Sequence, residues 1–119
     1  MLHTKNVTIT ASATPTDVVA DIPTGFVAFI NYIMLHNRGG ATNACTLYLD
    51  NSSESSQIYL LNAKNVDDGE VIEFHEGQFV LYEGDSVIAS IADAGSVDVA
   101  CTFDIVEASS ILRNFNRVS

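Results

Sequence analysis

The sequence contains no tryptophan, two prolines, two cysteines and five cationic side chains among its 119 residues. Each shortage excludes something. Five Lys and Arg against fifteen Asp and Glu leave a net charge of −10, which repels nucleic-acid phosphate and anionic lipid, so neither nucleic acid nor a membrane surface is an expected partner. Cys45 and Cys101 lie far apart without a CxxC spacing; in a reducing cytosol they read as two buried thiols, with a disulfide between them as the alternative. No apolar run reaches the length of a membrane-spanning helix. Met1 to Lys5 is not followed by an apolar core of signal-peptide length. The expectation is a product that stays soluble where it is made or leaves by lysis.

Charged residues make up 17% of the chain and hydrophobic ones 47%, so much of the polarity falls to Ser, Thr and Asn. That balance suits packed β structure, and a chain of this length can bury about two-thirds of its surface around one core. The stretch from Asp67 to Ile91 carries the clearest architectural code. Its short apolar runs are separated by Asp68-Gly69, Glu76-Gly77 and Gly84-Asp85, which reads as strand, turn, strand, turn, strand.

Upstream, Thr4 to Ala11 alternates as a first strand, and Pro15 interrupts pairing. Asp17 to Ile22 forms a second, closed by a Pro23-Thr24-Gly25 turn with proline setting φ at its corner. Phe26 to Asn37 is the longest apolar run. It is apolar on both faces over much of its length, as in a mid-sheet strand with a second layer or a partner on its other side. Ala44 to Asp50 alternates with Cys45, Leu47 and Leu49 on one face, and Gln57 to Leu61 returns after a polar loop. Val97, Val99, Cys101, Phe103 and Ile105 share one face of a last strand. These segments predict an all-β, eight- to nine-stranded antiparallel sandwich or barrel over residues 1–108, followed by a C-terminal arm at 109–119.

No constellation of catalytic residues emerges. His3, His36 and His75 show no HxH or HExxH spacing, and Asp67 to Glu70 lacks the spaced oxygen ligands of a calcium loop, so no metal or cofactor is expected. Glu70, Glu73, Glu76, Glu83 and Asp85 are five acids in a turn-rich segment of an acidic protein, read as a solvated rim. Ser52, Ser53, Ser55 and Ser56 lack a nucleophile-elbow setting, and Gly39-Gly40 is a turn. The expected role is not enzymatic.

The charge is divided unevenly. Residues 1–108 hold all fifteen acids and three of the five cations, a net of −12, and residues 109–119 hold the other two cations, a net of +2. Those eleven residues also carry Ile111, Leu112, Phe115 and Val118. The arm either folds back over its own sandwich or docks on a neighbour, and in the second case Ile111, Leu112, Arg113, Phe115 and Arg117 are the candidate partner-contact residues.

The order of a polar first strand, the Pro23-Thr24-Gly25 turn, a long strand ending His36-Asn37, Leu47-Tyr48-Leu49-Asp50, then Asp68-Gly69-Glu70 and Gly84-Asp85-Ser86-Val87 resembles small β-sandwich virion proteins of tailed bacteriophages. It looks most like the capsid decoration, or cement, type. The resemblance spans about Val7 to Val106. It implies a jelly-roll core, a homo-oligomer (dimer or trimer), the major capsid protein as partner, and a place on the capsid exterior of the virion. Tail, neck and fibre-tip proteins share the same turn-and-strand pattern and form the alternative, with Tyr48 and Tyr82 as candidate glycan contacts. A small lectin-like or hydrolytic domain of cellular origin is the third option.

Overall fold

A computed structural model describes residues 2–52, 55–75 and 79–108. Among the described residues, alternating β-branched and aromatic residues give nine strands: β1 (Leu2–Ile9), β2 (Thr16–Val19), β3 (Phe26–Asn37), β4 (Asn43–Asn51), β5 (Ser56–Val66), β6 (Val71–Phe74), β7 (Phe79–Leu81), β8 (Ser86–Ile91) and β9 (Val97–Glu107). All pairings are antiparallel. One sheet runs β1-β9-β3-β6 with β7 also on β3, and the other runs β2-β8-β4-β5.

β6 lies along Ile33 to His36 of β3 and β7 along Ala28 to Ile30, so the two short strands share one edge position. Counted that way, the eight positions are distributed over the two sheets in the order of a jelly roll, with β4 and β5 as neighbours in one of them. The all-β antiparallel sandwich expected from the pattern is therefore what forms. Boundaries differ by one to three residues in β1 and β2, and β5 runs on past Leu61, where the expected strand ended, through Asn62 to Val66.

The core forms where the inward positions of both sheets meet. Ile30, Ile33 and Leu35 of β3, Leu47 of β4, Leu81 of β7, Val87 and Ile91 of β8, and Val97 and Val99 of β9 are each at most 2% exposed. The alternation read for β4 and β9 is realised: Cys45, Leu47 and Leu49 are buried, as are Val97, Val99, Cys101 and Phe103. Ile105 stands at the margin, half-buried.

Turn chemistry closes the ends. At Pro23 to Phe26 the Phe26 amide donates to the Pro23 carbonyl at 3.0 Å, and Gly25 takes the positive φ of 83°. Proline thus sits at the first turn position instead of the corner, and glycine supplies the backbone reversal that a side chain resists. Gly39 serves closeness instead: a Cβ there would stand 2.8 Å from the Ser96 amide nitrogen.

Candidate interaction surface

The two thiols are withdrawn from chemistry. Cys45 and Cys101 are both free and buried. Burial pushes the Cys101 thiol up to about 12 and raises Cys45 as well, with the Glu70 carboxylate adding to the latter. Neither presents a thiolate near neutral pH. Among the described residues no group of three or more His, Cys, Asp or Glu is placed to hold a metal ion. Among them, too, no helix is long and apolar enough to cross a membrane.

Several acids in the glycine-punctuated stretch tie loops together. Asp68 accepts from the Gly40 amide at 2.9 Å, Asp67 from the Thr42 hydroxyl at 3.0 Å, and Glu70 from the Asp67 amide at 3.0 Å. Asp67 and Asp68, both exposed, thus clasp the β5–β6 turn to the β3–β4 turn, while Glu70, read as part of a solvated rim, is half-buried and closes its own turn. Their hub is Asn37, 1% exposed, whose amide donates to the Ala41 and Val66 carbonyls at 2.8 Å each and whose oxygen accepts from Gly39 at 3.1 Å. At the opposite end, Thr24 donates to Glu83 at 2.6 Å, and Ser52 to the Gly84 carbonyl at 2.5 Å. An open cleft of about 510 Å³ lies here, lined among others by Asp17, Asp21, Glu83 and Asp85. The Asp85 carboxylate accepts the Tyr82 amide at 3.0 Å.

The outer face of the β2-β8-β4-β5 sheet carries a transverse row of side chains. Asp17 pairs across strands with Ile88, Ile88 with Tyr48, and Tyr48 with Tyr59. Registered residues project from the same side of a sheet, so this row is one continuous band. Tyr48 and Tyr59 stack with ring centroids 5.0 Å apart at 28°. Tyr59 is 47% exposed at the sheet edge, and its hydroxyl donates to Gln57 at 3.1 Å. Burial raises the Tyr48 hydroxyl above its ordinary value, and Tyr59, Asp50 and Asp17 push it in the same direction. The band is thus aromatic and aliphatic, with carboxylates beside it.

Of the two tyrosines singled out from the sequence, Tyr48 belongs to this band, whereas Tyr82 is 52% exposed in the β7–β8 turn and not in the band's cross-strand row. Tyr59 was not singled out, although its spacing from Gln57 places it on the outward side of β5. The expected contact residues Ile111, Leu112, Arg113, Phe115 and Arg117 lie outside the described residues. The chain is followed to Ala108, whose amide donates to the Gly25 carbonyl at 2.9 Å.

No protein-family model and no curated protein matches this sequence. Among solved structures, a chain of the Bacillus endospore appendages, described as a family of disulfide-linked pili, superposes with a TM-score of 0.56. It is 15% identical over 90% of this chain and 87% of that one. The Drosophila NLP core, from a structure concerned with pentamer formation and histone binding, aligns with a TM-score of 0.49 and 19% identity over 88% of this chain and 99% of that one. At such identities the likeness is one of fold.

Proposed function

We propose that this chain is a non-catalytic structural subunit of an extracellular assembled particle. Within that class, the reading we favour is a capsid decoration protein of a tailed bacteriophage, set on the capsid exterior as a dimer or trimer against the major capsid protein. The observation that carries the coarser part is the fold itself, a jelly-roll sandwich shared over 90% of the chain with a pilus protein. The finer part rests on the resemblance of its turn-and-strand order to small phage virion proteins.

Both cysteines are buried, so cohesion is non-covalent while the chain is folded. A subunit that binds the assembled shell and not its loose components adds its binding free energy to shell stability by mass action. Symmetric clusters gain avidity from several simultaneous contacts. The acidic body keeps decorated particles soluble and mutually repulsive.

Mixing the purified chain with empty phage shells tests the role: co-sedimentation and a raised shell melting temperature are expected, and a chain left entirely in the supernatant ends the decoration reading. Removing residues 109–119 should leave a folded sandwich that no longer binds; undiminished binding would end the arm's part in it. The stacked Tyr48 and Tyr59 favour a second reading, a tail or fibre component touching host glycan. A glycan array without hits removes it.

A further inference from the structure

We infer that the outer face of the β2-β8-β4-β5 sheet, at Tyr48 and Tyr59, receives the 109–119 segment of a second copy of this chain. The inference deepens the assembly role proposed above by naming the surface on which one copy holds the next.

Three observations meet at this face. The first is its chemistry. Ile88, Tyr48 and Tyr59 form an apolar, aromatic band, half-buried to half-exposed, with Asp17 ending the row and Asp50 one step along β4 opposite Gln57. Aromatic faces beside carboxylates suit a guanidinium accompanied by apolar side chains, because stacking and ion pairing act on the same group. The second is the charge division. Residues 109–119 carry +2 with Arg113 and Arg117 interleaved with Ile111, Leu112 and Phe115, while the rest of the chain carries −12. The segment is therefore complementary to the band in both charge and apolar content.

The third is where the chain leaves the described residues. Ala108 is held to Gly25 at the end of the β1-β9-β3 sheet, the sheet opposite the band. Eleven residues reach at most about 40 Å when extended, enough to lie along a neighbour's sheet. To lie on its own band the segment would have to double back over the end of the sandwich, past Glu83 and Gly84.

Strand addition to the same sheet edge is the less suitable contact. β5 carries two register irregularities opposite β4, and such bulges twist an edge away from pairing. The side-chain face remains. Two copies that exchange segments reciprocally close into a dimer, and one-way passage from copy to copy closes into a ring such as a trimer.

The test uses the full chain with p-benzoylphenylalanine in place of Phe115, prepared with and without ¹⁵N, mixed, and irradiated. Heavy-to-light cross-links to peptides spanning β4 and β5 are expected. Cross-links confined to one copy, cross-links to another surface, or none, would overturn the inference. In sedimentation equilibrium, Tyr59→Ala and the pair Arg113→Glu with Arg117→Glu should each weaken self-association roughly tenfold or more, as loss of an aromatic or arginine anchor does. Adding Asp17→Lys and Asp50→Lys to the arginine reversals should restore it. Unchanged association of Tyr59→Ala, checked for folding by circular dichroism, would also overturn it. Self-association that follows this pattern in a chain that never binds a particle keeps this inference and ends only the particle role.

Discussion

Asn37 shows how much one polar side chain can hold in a small sandwich. Its amide and carbonyl satisfy three backbone groups from the β3–β4 turn and the end of β5, with the bond to Val66 fully buried and the other two partly so. Asn37→Ala removes all three bonds and leaves the Gly39 amide without that acceptor, so a loss of about 2–4 kcal/mol is expected, read as a lower urea midpoint at unchanged slope. Asp98 illustrates the opposite extreme. It sits on the surface, accepting from Arg38 and from Thr8 at 2.6 Å each, and the Arg38 guanidinium first, then the Thr8 hydroxyl, hold its carboxyl below the ordinary aspartate value. A carboxyl lowered in the folded state stabilises above its unfolded pKa, and that contribution vanishes as pH falls through the native one. Asp98→Asn should therefore be slightly less stable than the wild type at pH 7. The gap in urea midpoint should narrow as pH falls below the ordinary aspartate range, and it should be small because both partners are largely solvated.

At the scale of elements, β5 is the informative strand. Cys45 faces Lys64 and Leu47 faces Leu61, so Asn62 and Ala63 together oppose Thr46, and the Thr46 hydroxyl accepts the Ala63 amide at 3.1 Å. Ala63 takes a φ of 51°, a left-handed conformation that costs a residue with a Cβ about 1 kcal/mol. Ala63→Gly is expected to be neutral or to raise stability by up to about 1 kcal/mol, whereas Ala63→Val should lower it by more than that; thermal melts of the two variants side by side decide the matter. None of this was legible in Asn62 to Asn65, which carries no apolar alternation. A bulge is specified by what the partner strand offers, here a threonine hydroxyl 17 residues upstream.

Across the whole molecule, the first strand closes on the last: Leu2 registers with Asp104 and Ile9 with Val97. β1 thereby covers the edge of β9, which otherwise would expose a long strand of alternating apolar residues. Deleting residues 1–9 is expected to bring on aggregation at micromolar concentration, monitored by light scattering at neutral pH against the full chain. The net charge of −10 opposes association between intact bodies, and it makes a basic, apolar segment the natural point of attachment.

The sequence by itself determined the class of fold. Strand and turn are written in a local code, alternation with period two and glycine at reversals, and that code is readable at Val97 to Phe103 or Cys45 to Leu49 without knowing any neighbour. It also determined the charge division, which is a matter of counting. Tertiary structure alone decided which strands share a sheet, that Tyr48 meets Tyr59 and not Tyr82, and that Asp67 and Asp68 clasp two turns beside a buried Asn37. Those outcomes depend on register between segments far apart in the chain. A one-residue slip in any pairing would send each of these side chains to the other face.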